Sequence, residues 1–286
     1  MSVPPNFADV LKPTNDLLGK DYKTGSALEV NTLTANGVKF TVAGTQDKSG
    51  KVFAELKTKY TDAKNGLALT ESWSTANLLT AQLEVDNKVA SGLKLDLVGT
   101  LLPNASGAAT KTAKVTAVYK QPNVHARTTV DLTKGPTVNA DVVVGKDGVL
   151  AGGQIGYDLL DGRLTNNSAL VGFKASDYSA ALSASNTFST ITAAYYHRIG
   201  FDLEVGAKAT YDTRATSAPT TLELGSKYFL DATAYAKAKI DNSGRLGLSY
   251  TQELRKGAKI TLAGLFNTTA AAEDSAKLGL ALTFDA

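Results

Sequence analysis

Apolar and polar side chains alternate along almost the whole chain after about residue 25, and glycine turns interrupt the alternation at intervals. In 228–250, YFLDATAYAKAKIDNSGRLGLSY, the small or apolar Ala232, Ala234, Ala236, Ala238 and Ile240 oppose Asp231, Thr233, Tyr235, Lys237 and Lys239. After Asn242-Ser243-Gly244 the order resumes, with Leu246, Leu248 and Tyr250 against Arg245, Gly247 and Ser249. The runs 51–60, 201–212 and 277–284 behave alike, with Leu56 and Tyr60, then Phe201, Leu203 and Val205, then Leu278, Leu280, Leu282 and Phe284 on the apolar side. A period of two marks a strand with unlike faces, since successive side chains leave a pleated ribbon on opposite sides. Turns at Asn36-Gly37, Asn65-Gly66, Lys134-Gly135, Asp147-Gly148, Asp161-Gly162, Ser243-Gly244 and Lys256-Gly257 join the runs into hairpins. Residues 103–110 and 213–220 read as loops.

Two architectures accept so many two-faced strands. A soluble sandwich or small barrel turns the apolar face inward and uses strands of ~5–6 residues. A membrane barrel turns it out to lipid and lines a wet lumen with the polar face. Runs of about 9–11 residues, at ~3.3 Å each and a ~45° tilt, match an apolar band of roughly 25 Å. Close to twenty such strands make a sheet too wide for inward side chains to fill. Tyr60, Tyr119, Tyr211, Tyr228, Tyr250 and Phe284 fall near run ends, as in an aromatic girdle, although buried tyrosines with partnered hydroxyls give the same pattern. The pattern favours the membrane barrel. No 18 apolar residues adjoin, which excludes a transmembrane helix and leaves a barrel open.

Composition narrows the chemistry. The formal charge of +3 comes from dispersed Lys and Arg, so no nucleic-acid partner is expected. With no Cys, and with His125 and His197 isolated, no metal site, cofactor or disulfide is expected. The start, MSVPPNFADVLKPTNDLL, has neither a secretory signal's apolar core nor the Arg- and Ser-rich character of a matrix presequence. No enzyme motif survives: GTQDKSGKV at 44–52 has the wrong glycine spacing for a phosphate loop and Val52 where a hydroxyl is needed.

Four stretches carry a resemblance. They are the start VPPNFADVLKPTNDLLGKDY, the triplet Gly92-Leu93-Lys94, the segment from Tyr228 through Asp231 and Lys237 to Leu248, and the end with Lys277, Gly279, Leu282 and Phe284. Together and in order, they resemble the pore helix, GLK motif, signature segment and sorting signal of the mitochondrial porins. These are the voltage-dependent anion channels of the outer membrane, here of the fungal branch. The resemblance implies an all-β fold, a transmembrane β-barrel of about 19 strands with an N-terminal α-helix inside the pore. It divides the chain into 1–25, pore helix and linker, and 26–286, barrel. The odd count is a known feature of that family and not a reading of these residues. It would pair the strand near 27–35 with the one near 275–284 in parallel, with both barrel ends expected on the same side.

The function so implied is a voltage-gated, weakly anion-selective diffusion channel of the mitochondrial outer membrane, passing ions and metabolites such as ATP and ADP, and not an enzyme. Membrane lipids, anionic nucleotides, self-association and cytosolic kinases are the partners it suggests. Two other readings stay open: a protein-import barrel of the same membrane, and a soluble ligand-binding β protein.

Strand phase assigns the lumen by parity. Lys57, Lys59, Lys94, Arg127, Lys208, Lys227, Lys237, Lys239, Arg245, Lys259 and Lys277 are expected inward, with Glu55, Glu84, Asp86, Asp96, Asp131, Asp202, Glu204, Glu223 and Asp231. The small cationic surplus, screened over ~8 Å at physiological salt, predicts a weak anion preference. Lys94, Arg127, Lys208, Lys237 and Lys239 are the candidate anion contacts on the wall, and the resemblance adds Lys12 and Lys20 as nucleotide contacts. At the amino terminus, Asp9, Lys12, Asp16 and Lys20 share one helical face and form the candidate gating helix, with Val10, Leu17 and Leu18 opposite and Phe7 and Leu11 loosely joined to them. Pro13 is expected to kink this helix or to restart it. Glu71 shares the outward parity of Leu67, Leu69 and Trp73. A carboxylate facing hydrocarbon is costly, and taking up a proton is the expected response; a bulge turning Glu71 inward is the other reading. In animal members the resemblance makes such an acid a regulatory site for partner binding and association.

Overall fold

The computed structural model describes residues 3–47, 50–103, 111–133, 135–215, 220–269 and 276–286. A 3-10 turn at Phe7–Asp9 and one α-helix, α1 (Lys12–Gly19), precede nineteen strands. The strands are β1 (Gly25–Leu33), β2 (Val38–Gln46), β3 (Val52–Asp62), β4 (Leu67–Ser74), β5 (Leu79–Asp86), β6 (Leu93–Leu101), β7 (Lys111–Gln121), β8 (Val124–Asp131), β9 (Thr137–Lys146) and β10 (Val149–Asp158). They continue as β11 (Arg163–Lys174), β12 (Tyr178–Ser185), β13 (Thr190–Arg198), β14 (Leu203–Asp212), β15 (Thr220–Phe229), β16 (Ala234–Asp241), β17 (Arg245–Arg255), β18 (Ala258–Asn267) and β19 (Ala276–Asp285). Each pairs with its neighbours in sequence, and β1 closes the sheet on β19. With strands ~4.8 Å apart and tilted ~45°, nineteen of them enclose a backbone cylinder roughly 40 Å across.

Local chemistry explains the hairpins. The turn glycines Gly37, Gly66, Gly135, Gly148, Gly162, Gly244 and Gly257 all have positive φ; Lys134, read as part of one turn, lies outside the described residues. At Asp147-Gly148 both residues are left-handed, φ 51° and 88°, the conformation that a two-residue hairpin needs to match strand twist. Two runs begin later than the alternation suggests. Asp231 accepts from the backbone N–H of Thr233 and Ala234 and from the Thr233 hydroxyl, building a turn before β16. Those bonds, the Thr233 hydroxyl first, hold its carboxyl below the usual range. Asp202 likewise lies in the β13–β14 hairpin, so parity gives neither acid a place in the lumen.

The closing seam is parallel, Gly25 opposite Gly279 and Asn31 opposite Asp285. It corrects the expectation for the barrel ends. Parallel neighbours start at the same rim, so β1 begins at one rim, here the first, and β19 ends at the other, the second. There Leu33 donates to the carbonyl of the terminal Ala286.

The phase follows the alternation. Leu56 lies between Val42 and Trp73, Leu248 between Ala238 and Gly264, and Leu280 between Ser26 and Leu262. Leu248 and Leu280 are 44% and 39% exposed, and Leu28, Val42, Leu83, Leu97, Val142, Val171, Leu182, Leu224 and Leu262 are similarly bare. At about 1 kcal/mol for each half-exposed side chain, wetting this wall costs roughly 10 kcal/mol or more, as much as a domain's whole stability. A soluble protein does not carry such a surface, and the soluble reading falls. The outer medium is hydrocarbon. No helix among the described residues is long and apolar enough to cross a membrane; the strands do so. The buried apolar side chains Val10, Leu17, Leu18, Tyr22, Val143, Leu150 and Leu170 belong to the amino-terminal segment and the inner wall around it.

Candidate functional site

Asn6 opens the amino-terminal segment by capping it: its Oδ1 accepts from the Asp9 backbone N–H at 2.9 Å, and its Nδ2 donates to the Asp9 carboxylate at 2.7 Å. The chain then restarts as α1 with Pro13 in the first turn, where the missing N–H would be unpaired anyway. Asp9 therefore lies in the 3-10 turn and Lys20 at the C-cap, so only Lys12 and Asp16 of the candidate gating helix are helical.

Two seats hold this segment to the wall. At its start, the Pro4 carbonyl meets His125 Nδ1 at 3.0 Å, and Phe7 and Val10 pack on the inward Val143, Leu150 and Leu170. At its end, Leu17 and Leu18 press into gaps where Gly206 and Gly225 lack side chains. A Cβ there would stand 2.7 Å from Leu17 Cδ2 and 2.6 Å from Leu18 Cδ2. Lys237 Nζ donates to the carbonyls of Asp16 (3.1 Å) and Lys20 (2.7 Å) and to the Asp21 carboxylate (3.3 Å), and Lys239 Nζ to the Leu18 carbonyl (2.7 Å). The carbonyl end of a helix is its negative pole and its last carbonyls lack intrahelical donors. Lys239 on Leu18 and Lys237 on Lys20 supply donors there, while the Asp16 carbonyl takes Lys237 in addition to the Lys20 N–H. Both lysines also lie over the Tyr22 ring, at 5.1 and 4.5 Å. Burial first, then the Asp21 charge, push the Tyr22 hydroxyl above its ordinary value.

This geometry gives the seven candidate anion contacts partners of their own. Lys12 pairs with Asp9 (3.6 Å) and Lys20 with Asp16 (2.7 Å), Lys94 with Glu84 (2.7 Å), Arg127 with Asp141 (2.8 Å) and Lys208 with Glu223 (2.6 Å). Lys237 is buried beneath the helix end, its side chain 3% exposed, and Lys239 is tied to Leu18. These two are helix anchors, not open wall charges. Lys57, Lys259 and Lys277 hold inward register positions opposite Ser72, Glu253 and Leu265 and form no ion pair among the described residues. Lys227 stands 4.2 Å from the Phe229 and Tyr235 rings. Parity read along β9 would have found Asp141, since Ala140, Val142 and Val144 set its outer face; the glycine seats leave no local signal.

Glu71 points outward. It lies opposite Thr58 on β3 and Ala81 on β5 in unbroken register, between Leu69 and Trp73, so the bulge reading fails. Among the described residues no group of three His, Asp or Glu is arranged to hold a metal.

Known proteins share both the sequence and the shape. A family profile described as eukaryotic porin matches residues 3–279. The chain is 39% identical to a mitochondrial outer membrane protein porin of Candida albicans, over 99% of each chain. It is 34% identical to non-selective voltage-gated ion channel 1 of Saccharomyces cerevisiae, also over 99% of each. Among solved structures, Pseudomonas aeruginosa OccK11 (OpdR) superposes with a TM-score of 0.51 at 10% identity, covering 94% of this chain and 99% of that one, which speaks to fold alone. Full-length identity above one third, on a closed barrel with lipid-facing leucines and a charged lumen, places this chain in the eukaryotic porin family.

Proposed function

We infer that the protein is a voltage-gated diffusion channel of the mitochondrial outer membrane, passing ions and small metabolites through its lumen. The observation that carries this is the inverted barrel: leucine and valine outside, ion pairs and a seated helix inside, across a width that side chains do not fill. Weak anion preference follows from the wall. Most inward cations have a neighbouring acid, Lys259 included, which faces Glu253 across β17–β18, so the residual field comes from those that do not, Lys57 and Lys277 chief among them. Anionic metabolites such as ATP and ADP fit that field, with Lys12 and Lys20 reachable at the cost of leaving Asp9 and Asp16. The import-channel alternative asks for acidic and apolar tracks, which the mixed wall does not offer.

The segment up to about residue 25 acts as pore helix and linker and is the moving part. Glu71 is proposed as a lipid-facing regulatory acid for self-association or for docking of a cytosolic kinase. Reconstitution in a planar bilayer tests the channel: a large, voltage-sensitive, weakly anion-selective conductance is expected, and a silent bilayer with inserted protein overturns it. Glu71→Gln is expected to change oligomer distribution or gating; if neither moves, Glu71 has no such role.

A further inference from the structure

At the second rim, most hairpins between strands are polar: Asn36-Gly37, Lys64-Asn65-Gly66, Asp147-Gly148 and Lys256-Gly257. The β5–β6 hairpin carries a lone exposed valine, Val89, whereas two adjacent hairpins carry three large apolar side chains between them. The β13–β14 hairpin carries Ile199 and Phe201, and the β15–β16 hairpin carries Leu230; Phe201 is 95% exposed. Phe229 donates to the Asp202 carbonyl at 2.8 Å, tying the two hairpins side by side. Ile199 lies two residues beyond the outward His197 and Leu230 two beyond Tyr228, whose strands hold Tyr195 and Leu224 on the same outer face, and Phe201 stands at the tip of the β13–β14 turn. Ile199 N–H donates to the Leu203 carbonyl and Leu230 N–H to the Ala234 carbonyl, each at 2.9 Å, so the outward column continues one residue past β13 and β15.

We propose that this corner of the rim is submerged in the lipid headgroup layer, so that the barrel meets the bilayer with one side deeper than the other. The occupant is lipid because the patch is continuous with the wall that faces hydrocarbon. Directly below it lies an aromatic cluster of interfacial type: Phe173 and Tyr178 stack at 5.7 Å, Tyr178 meets His197 at 6.1 Å, and the Tyr195 hydroxyl meets His197 Nδ1 at 3.2 Å. Arg198 holds the inward register position opposite Glu204, and its Nε donates to the Gly200 carbonyl at 3.3 Å, bracing the turn from the pore side. Asp202 and Asp231 in the same hairpins set the depth at the headgroups and not in the hydrocarbon. Ile199 and Leu230 stand one residue past β13 and β15 and Phe201 two before β14, which raises the apolar edge by roughly 2–5 Å. The opposite wall is β4, ten strands from β14 in one direction and nine in the other, and there the outer face carries Glu71.

Trp73 is the chain's single tryptophan, so Phe201→Trp in a Trp73→Phe background gives a lone reporter. In phosphatidylcholine vesicles, bromines near the carboxyl end of the acyl chains are expected to quench it roughly twofold, with little quenching by aqueous acrylamide. Ala35→Trp in the same background, on a polar hairpin of the same rim, is expected to show the reverse. A Phe201→Trp reporter as open to acrylamide as the Ala35→Trp one overturns the proposal. One shielded from both quenchers also overturns it, in favour of a second copy of the chain covering the patch.

Discussion

The amino-terminal segment is held at its two ends by different chemistry. The first seat is dry: Val143 is fully buried beneath Val10, with Leu150 and Leu170 beside it, and a single hydrogen bond joins Pro4 to His125. The second seat is ionic and tight, two leucines in glycine gaps and two ammonium groups on the helix's last carbonyls. Apolar contact weakens little with voltage or salt, whereas a seat that engages charge answers to a field. A membrane potential of 100 mV does ~2.3 kcal/mol of work on one elementary charge, and breaking a buried charge-assisted clamp costs about 3 kcal/mol. The two energies are of one size. If the segment gates the pore, as proposed, the ionic seat is the end that such a potential would open and the dry seat is the hinge.

Removing the clamp is the sharpest way to break that asymmetry. Lys237→Met keeps the packing volume and deletes the ammonium. The helix end is expected to loosen by about 3 kcal/mol, a fall of roughly a hundredfold in amide-exchange protection at Leu17 and Leu18, with closure at lower voltage. Unchanged protection would mean that the lysine follows the helix and does not hold it. Filling a gap comes next. Gly225→Val puts a side chain where Leu18 now lies, and overpacking of this kind costs about 1–3 kcal/mol. The position does not require a left-handed backbone, so the thermal midpoint of the barrel is expected to stay while the helix end lifts. If the midpoint falls and the helix stays seated, the strain has gone into the wall instead.

Much of this was legible in the sequence, for a reason that marks its limit. A period of two needs only nearest neighbours, so strand phase, the hairpin glycines and the outward place of Glu71 could be read residue by residue. The seats join residues some two hundred positions apart, Leu18 with Gly225 and Asp16 with Lys237, and no local pattern encodes such a meeting. Parity put Lys237 and Lys239 inside correctly, yet inside meant beneath a helix and not beside water. The same blindness misplaced Asp202 and Asp231, because alternation runs on through a hairpin that the backbone has already turned. Closure geometry was misjudged too, since a parallel seam sends the two barrel ends to opposite rims.

The dry seat supplies the contrasting test. Val143→Ala leaves a small cavity beneath Val10, and losing two methyl groups there is expected to cost about 1–2 kcal/mol. The loss should appear as exchange at Phe7 and Val10 while Leu17 and Leu18 keep their protection, and the closing voltage should hardly move. A shift as large as that of Lys237→Met would show one cooperative unit and not a hinge with a latch. The smallest effect belongs to the exposed pairs on the pore side of the segment. Lys20→Gln removes a partner of Asp16 whose own side chain is 63% exposed, worth only a few tenths of a kcal/mol in helix stability. Its consequence lies elsewhere. The described run from Asp9 to Asp21 holds three aspartates and two lysines, a net charge of −1, and the substitution takes it to −2. If this segment is what the field moves, gating is expected to steepen while the seats hold; if steepness stays constant, the sensing charge lies on the wall.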